Sequence, residues 1–280
     1  MEPTRAILAI MRTLAVALLL FVAFGAVAAE EWVCPMPEHA KIYDKAGTCD
    51  VCGMALIPKS ERDKAIRVSI DALAGKGDGS DLKPGKLPIV VAFVLTDGAT
   101  MIDFAGPWEV FQDVYIGGAA ESNAFKLITV SDSRNPIRTS GGMTVVPEFT
   151  FDDAPAPRVI VIPAQSGRSE KMLKWLRDQK QHVDVLASVC TGAFILGRAG
   201  LLDGKEATTH HDFYDALAND FGKVKVVRGK RYVQSDATIA TAGGLSSGID
   251  LALHIVQRYF GREIAERTAD YMEYSGSGWK

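Results

Sequence analysis

Apolar and polar positions alternate from residue 87 onward in blocks that are typical of strands followed by helices. Short runs rich in Val and Ile have the pattern of strands that are buried on both faces of a parallel sheet. They occupy 87–95, 125–130, 158–162 and 183–189. Amphipathic stretches predict helices at 103–114, 169–179, 191–199, 212–221, 245–259 and 262–271. This order predicts an α/β domain over 87–275 with a doubly wound, mostly parallel sheet.

The first residues have the pattern of a targeting segment. Arg5 and Arg12 precede an apolar run at 14–27, and Ala26 and Ala28 supply the small residues that a signal peptidase requires. We therefore expect 1–29 to be a signal peptide and the mature protein to be periplasmic or secreted. The run is shorter than the roughly 20 residues that span a bilayer, so we expect no stable membrane span after cleavage.

Three of the four cysteines follow this segment at once, within a module that we place at 30–58. The Cys-x-x-Cys of Cys49 and Cys52 directs two sulfurs at one centre, and Cys34 with His39 completes a tetrahedral set of ligands. The segment is too short to build an apolar core. A bound metal ion would hold it together.

Two methionines, Met36 and Met54, add thioethers to this set and favour Cu(I), so we predict a copper or zinc site. An alternative stays open, because an oxidising compartment also favours a disulfide between Cys49 and Cys52 or one that includes Cys34. After the module, 59–86 is rich in charged and small residues and predicts a flexible linker.

Charge narrows the range of partners. The net charge is -3 and the isoelectric point is about 6.0, so no positive field attracts nucleic acid. We expect a metal ion and a small-molecule substrate as partners, and no nucleic acid.

In open α/β sheets, ligands bind at the carboxyl ends of the strands, and Cys190 stands where the run at 183–189 gives way to a helix. A thiol there resembles a nucleophile elbow, and the helix dipole favours thiolate. The alternative is an inert buried cysteine. At the first such junction, Asp103 is better placed than Glu109 to exchange a proton with the thiol, although a simple helix-capping role is the alternative.

Four motifs make the chain recognisable from 87 to 274. They are DFAGPWEVF at 103–111, SVCTGA at 188–193, AGLLDG with ATTH at 199–204 and 207–210, and TAGGLSSGID at 241–250. Together they resemble the ThiJ/PfpI branch of the class I glutamine amidotransferase-like superfamily, and within it the isonitrile hydratase and regulator-type group. The resemblance implies a flavodoxin-like fold that requires no cofactor, and a homodimer.

The resemblance also implies site residues. Cys190 matches the nucleophile, Asp103 the acid that hydrogen-bonds it, and Thr191 the residue beside it in isonitrile hydratases. Protease-like members have His at that last position, so peptidase activity is disfavoured. Relatives have paired glycines where Ala164 and Gln165 stand, at the oxyanion hole. His210 matches a pocket position, with a surface or capping role for His210 and His211 as the alternative.

The N-terminal module resembles the heavy-metal-binding domain of copper-exporting ATPases and periplasmic efflux adaptors. The matching residues run from Trp32 through CPM and CDVCGM to Pro58. Pro37 stands where that family commonly has His, with His39 two residues later. Cys34, Cys49 and Cys52 are therefore the principal predicted ligands.

Three functions follow from these features. The first is a cysteine-dependent hydratase or lyase-like enzyme acting on a small electrophile such as an isonitrile, with Cys190 attacking carbon, Asp103 handling the proton and the amides of Thr191 and Ala164 stabilising charge. The second is a non-enzymatic metal-binding or oxidative-stress protein in which Cys190 is oxidised to a sulfinic acid or serves as a ligand. The third is a regulator-like protein that lacks its DNA-binding domain, and the absence of a basic stripe disfavours it.

Overall fold

The structure is a computed structural model that describes residues 30–34, 41–61, 80–116 and 122–280. It divides into two compact units, 1–63 and 64–280, which are described separately below. The predicted signal peptide, Met36, His39 and residues 62–79 of the predicted linker lie outside the described residues. Among the residues that are described, no helix has both the length and the apolar content needed to cross a bilayer.

The N-terminal unit is a small antiparallel sheet. Its strands are β1 (Trp32–Val33), β2 (Ile42–Tyr43) and β3 (Ile57–Pro58), in the order β2-β1-β3. Its buried apolar cluster consists of Cys34, Cys49 and Leu56, with Trp32 and Tyr43 packed against it. So small a cluster stabilises a fold poorly by itself, and a structural metal is a common remedy in units of this size.

The larger unit alternates strands and helices. Its strands are β4 (Ile89–Val94), β5 (Tyr115–Ile116), β6 (Ser122–Asn123), β7 (Phe125–Ser131), β8 (Ile137–Arg138), β9 (Thr144–Val145), β10 (Phe149–Thr150), β11 (Val159–Ile162), β12 (Val185–Ser188), β13 (Glu206–Ala207), β14 (Lys225–Val226), β15 (Tyr232–Gln234) and β16 (Ile239–Ala242). Its helices are α1 (Met101–Gln112), α2 (Glu170–Gln179), α3 (Ala193–Arg198), α4 (Tyr214–Asp220), α5 (Ser247–Phe260) and α6 (Arg262–Tyr271).

Seven of these strands form the central sheet, in the order β10-β7-β4-β11-β12-β16-β15. Every neighbouring pair is parallel except β15 with β16. The predicted α/β architecture with a mostly parallel sheet is confirmed. The order places the carboxyl ends of β11, β12 and β16 side by side.

Successive side chains of β4 serve two separate cores. Val91 and Phe93 belong to the core that α1, α5 and α6 cover, whereas Ala92 and Val94 belong to the core that α2 and α3 cover. Because side chains alternate across a strand, an uninterrupted apolar run is the pattern that a sheet covered on both faces requires.

The last residues of the predicted linker contact the α/β unit. The Asp81 carboxylate accepts two hydrogen bonds of 2.9 Å from the Arg258 guanidinium, and the amides of Asp81 and Leu82 donate to the Arg258 carbonyl. Arg258 is almost fully buried, so this ion pair is well shielded on one side.

Candidate functional site

Cys190 lies in a strained turn directly after β12. Its φ is +58°, a left-handed conformation that only glycine adopts without strain, and it begins the short 3-10 turn Cys190–Gly192. Neighbouring groups hold it there. Its amide donates to the Gly243 carbonyl (2.9 Å), and the Thr209 hydroxyl donates to its carbonyl (2.8 Å). The predicted elbow geometry is present.

Gly192 makes this turn possible. A Cβ at Gly192 would lie 2.3 Å from the carbonyl oxygen of Ile162 on the neighbouring strand β11. That contact is with backbone, which cannot move aside cheaply. The chain therefore needs glycine at this position to bring the turn so close to β11.

Asp103 is fully buried in the first turn of α1. Its Oδ2 accepts a hydrogen bond from the Ala164 amide (3.1 Å), and the carboxyl group also interacts with the Cys190 thiol and the Leu245 amide. Within the described residues, Oδ1 has no hydrogen-bond partner at normal distance. Burial raises the pKa of Asp103 to about 6, against the opposing effect of these donors.

The pKa of the Cys190 thiol is raised, whereas the sequence predicts a thiolate. Burial, followed by the charge of Asp103, raises its pKa to about 12, although the amides of Thr191 and Leu245 favour the thiolate. The sequence-based expectation of a thiolate rested on a helix dipole, but α3 has only six residues. At neutral pH the proton therefore lies on sulfur and Asp103 is ionised.

The Ala164 amide, which we predict to stabilise developing charge, donates a hydrogen bond to Asp103 in this structure. The amides that reach the sulfur belong to Thr191 and Leu245. Ala164 thus positions the carboxyl group, and Leu245 supplies the donor that sequence reasoning missed.

The second sulfur-rich site is in the N-terminal unit. One ligand atom from each of Cys34, Cys49 and Cys52 lies within 4.8 Å of the other two. The sulfurs of Cys34 and Cys52 are 3.6 Å apart, a non-bonded separation. Tetrahedral coordination with metal–sulfur bonds of about 2.3 Å requires about 3.8 Å between sulfurs, so the cluster fits a thiolate-bound metal ion.

The turn that carries Cys49 favours its ionised form. Hydrogen bonds from the backbone amide of Cys52, and then that of Val51, lower the pKa of Cys49 to about 6 against the effect of burial. The Tyr43 hydroxyl also lies 3.7 Å from the Cys49 sulfur. Met54, the other predicted ligand among the described residues, is 44% exposed.

Comparison with known proteins finds a family match in each of the two units. The model of the DJ-1/PfpI family matches residues 90–258, and the model of the heavy metal binding domain matches 31–59. The first match covers more than half of the chain. The chain belongs to the DJ-1/PfpI family. The resemblances drawn from the sequence are confirmed, including the metal-binding domain at the N-terminus.

Individual relatives of the DJ-1/PfpI domain differ in kind. An isonitrile hydratase from Pseudomonas putida is 31% identical over 194 residues, covering 68% of this chain and 80% of that protein. The transcriptional regulator GbdR from Pseudomonas aeruginosa is 26% identical, and this chain spans 51% of its length. A ThiJ/PfpI family protein from Pseudomonas syringae has a similar structure, with a TM-score of 0.60, 27% identity, and coverage of 72% of this chain and 82% of that one.

Gln165 and His210 are the other two predicted pocket residues, and the structure shows their local contacts. The Gln165 Oε1 accepts from the Thr96 amide (2.7 Å), which fixes the side chain. His210 caps a 3-10 turn by accepting from the Asp212 amide, and it stacks on His211 with ring centroids 4.4 Å apart. A Cβ at Gly244 would collide with the His210 ring. His210 therefore both caps a turn and packs against the loop before Leu245.

Proposed function

We propose that the DJ-1/PfpI domain is a cysteine-dependent hydratase that adds water to the terminal carbon of an isonitrile and releases an N-substituted formamide. The observation that carries this proposal is the pairing of Cys190, in a strained turn, with a fully buried Asp103. The 31% identity to a protein named isonitrile hydratase supports the choice of substrate.

In the first step the thiol adds to the isonitrile carbon. Asp103, ionised above its pKa of about 6, takes the proton from Cys190 as the sulfur forms its bond to that carbon. The same proton then passes to the carbon. The product is a thioimidate, Cys190–S–CH=N–R, in which one π bond between carbon and nitrogen has been broken and its electron pair lies on nitrogen.

In the second step water adds to the thioimidate carbon. Asp103 accepts a proton from the attacking water and delivers it to nitrogen, which gives a tetrahedral Cys190–S–CH(OH)–NH–R. The carbon–sulfur bond then breaks, the hydroxyl proton returns to sulfur through Asp103, and the formamide leaves. Amides of Thr191 and Leu245 stabilise the departing sulfur anion.

A raised thiol pKa supports this order of events. A permanently ionised thiolate would react with many electrophiles, whereas a protonated Cys190 beside a base becomes nucleophilic only as its proton is transferred. The buried Oδ1 of Asp103, which has no close partner among the described residues, offers a lone pair for that proton.

We further propose that the protein is exported and acts as a homodimer, with the N-terminal module holding copper or zinc. Cys34, Cys49 and Cys52 would hold the ion, and the ion would supply cross-linking of a unit that has little apolar core. Detection of the mature N-terminus after secretion tests export, and light scattering of the purified protein tests the dimer.

The decisive experiment follows formamide production by NMR with a simple alkyl isonitrile. We expect turnover by the full chain, loss of turnover in Cys190→Ser, and a large loss in Asp103→Asn. Because copper itself binds isonitriles, disappearance of substrate is not sufficient. Cys52→Ser is the matched control that removes a sulfur from the other site and retains turnover. Absence of formamide from the wild-type chain would overturn the proposal.

A non-enzymatic metal-binding or oxidative-stress protein is the second candidate. The observation in its favour is the cluster of Cys34, Cys49 and Cys52, whose spacing suits a bound metal ion. It predicts metal uptake without formamide production. It also predicts a mass gain on Cys190 after mild peroxide treatment, in a pattern that matches sulfinic acid.

A further inference from the structure

A cavity of about 350 Å³ opens at the carboxyl edge of the sheet. Thr191 and Gln165 form part of its wall. Thr191 directly follows Cys190, and Gln165 directly follows Ala164, whose amide holds Asp103. The lining thus includes the chain neighbour of Cys190 and the chain neighbour of the residue whose amide holds Asp103. The volume of the cavity is within the range of small-molecule sites.

Part of the cavity lining is apolar and largely aromatic. Phe194 and Ile195 come from α3, and Phe213 comes from the 3-10 turn before α4. The rings of Phe194 and Phe213 meet edge to face, with centroids 6.4 Å apart and an interplanar angle of 87°. Phe213 is nevertheless 44% exposed. An exposed aromatic ring held in this way suits a flat apolar ligand.

The lining also includes the charged residues Arg168, Arg198 and Asp220. In the part of the chain that the structure describes, none of the three forms an ion pair or a side-chain hydrogen bond, whereas nearby Arg228 and Arg231 are both paired with carboxylates. Two arginines against one aspartate leave an excess positive charge at the rim. Guanidinium groups bind carboxylates and similar anions with two parallel hydrogen bonds.

Gln165 gives this lining a fixed side chain. Its Oε1 accepts a hydrogen bond of 2.7 Å from the Thr96 amide, which orients the terminal amide. Its Nε2 is buried and has no acceptor among the described residues. Gln165 therefore shapes the cavity, and the charged groups of the lining provide its polar contacts.

We propose that this cavity is the substrate subsite, and that it selects molecules with a flat apolar body and an anionic group such as a carboxylate. Arg168 and Arg198 hold the anion, the phenylalanines hold the body, and the reactive carbon lies at Cys190. The inference rests on the proposed function in that it places the reacting end of the substrate at this thiol.

The test uses two alkylating reagents of one shape, 4-(bromomethyl)benzoate and 4-(bromomethyl)benzamide, on the full chain. In both, the Cys190 sulfur forms a bond to the benzylic carbon, bromide leaves and the thiol proton passes to solvent. Peptide mass spectrometry follows Cys190 alone, and a small thiol gives the intrinsic ratio of the two rates. We expect the carboxylate to react about fivefold faster at Cys190 than that ratio predicts.

Matched variants locate the cause of this preference. The double variant Arg168→Ala/Arg198→Ala should lose it, whereas Arg177→Ala, which removes an exposed arginine outside the cavity, should retain it. Asp220→Asn should increase it. Equal rates in the wild-type chain, or a preference that survives in the double variant, would overturn the subsite.

The corresponding isonitriles separate this inference from the proposed function. If 4-(isocyanomethyl)benzamide is hydrated and the alkylation rates show no preference, the hydratase stands and the anionic subsite falls. If neither isonitrile of the pair is hydrated, the hydratase falls, and the alkylation ratio still decides whether the cavity selects anions.

Discussion

The two sulfur sites of this chain both have backbone amides directed at a cysteine, and they have opposite electrostatics. Backbone amides point at Cys49 and at Cys190, and both residues are almost covered, at 2% and 7% exposure. Yet the pKa of Cys49 is lowered to about 6, while burial and Asp103 raise that of Cys190 to about 12. Contact with water is therefore not what distinguishes the two sites.

Depth and neighbouring charge distinguish them. Cys49 belongs to a cluster of three buried residues in a small unit, so solvent polarisation still reaches it through a thin layer of protein. Cys190 belongs to the core between a seven-stranded sheet and its helices, and it has a buried carboxylate beside it. The first environment favours an anion that binds a cation, and the second keeps a proton on sulfur until substrate arrives.

The largest expected effect is on metal affinity, which should depend on Cys49 and not on Cys190. Cys49→Ser should weaken Cu(I) or Zn(II) binding by at least about 100-fold, because a thiolate ligand is lost. Cys190→Ser should leave the affinity within about twofold, since Cys190 is outside the cluster. Competition with a chromophoric chelator measures both variants. A comparable loss in Cys190→Ser would show that the two sulfurs share one ion.

The next effect concerns the backbone of the two turns. Gly192→Ala places a Cβ 2.3 Å from a carbonyl oxygen and should destabilise the α/β unit by about 3 kcal/mol. Gly53→Ala, with φ of +74° and open space, should cost about 1 kcal/mol in its own unit. Urea unfolding measures the first effect, with Gly222→Ala, which contacts nothing within 4 Å, as control. Equal stability of Gly192→Ala and the control would contradict the close approach to β11.

Asp103→Asn should bring the pKa of Cys190 closer to the lowered pKa of Cys49. Removing the carboxylate lowers the pKa of Cys190, so the midpoint of the pH profile for alkylation by neutral iodoacetamide should fall by about one pH unit or more, while turnover falls. Glu109→Gln on the same helix is the control, because it removes a similar charge elsewhere. A midpoint that is unchanged or higher in Asp103→Asn would show that the carboxylate does not raise the pKa of the thiol.

The same substitution predicts a pH dependence of stability. The folded pKa of Asp103 is raised to about 6, so the folded state binds the proton more tightly than the unfolded state. Stability from this group is therefore greatest below the unfolded pKa of about 4, and it declines by about 3 kcal/mol as pH rises to about 6. The difference in unfolding free energy between wild type and Asp103→Asn should show this decline. A difference that does not vary with pH would contradict a buried ionised carboxyl group.

Much of this fold could be predicted from pattern alone, and the reasons are local. The Val- and Ile-rich runs became β4, β7, β11 and β12 because a strand buried on both faces can hardly have another composition. Strands β15 and β16 were not predicted. The antiparallel edge strand β15 has three residues, and β16, although it is central and buried, has only four, so neither has a distinctive pattern. The longer elements followed from periodicity, and the short strands did not.

At the site, sequence reasoning identified residues better than roles. Cys190 and Asp103 do meet, as expected from their strand-to-helix positions. The roles of the Ala164 and Leu245 amides could not be predicted, because they depend on which backbone groups the fold brings to Asp103 and Cys190. Leu245 has a φ of +53°, and the residue type leucine gives no indication of such a left-handed conformation. The raised pKa of the Cys190 thiol also could not be predicted, because it depends on how deeply the whole domain buries the sulfur.

The smallest expected effect concerns the contribution of Tyr43 to metal binding at the N-terminal cysteine cluster. The Tyr43 hydroxyl contacts the Cys49 sulfur and the Asp50 carboxylate, so Tyr43→Phe removes one polar neighbour of the thiolate and leaves the turn amides in place. We expect metal affinity to fall by less than about tenfold in a chelator competition, with the exposed Tyr271→Phe as control. A loss as large as that of Cys49→Ser would show that Tyr43, and not the amides, holds the thiolate. Unchanged affinity would leave the amides as the sole cause, and the contrast with Cys190 would then reduce to depth and one carboxylate.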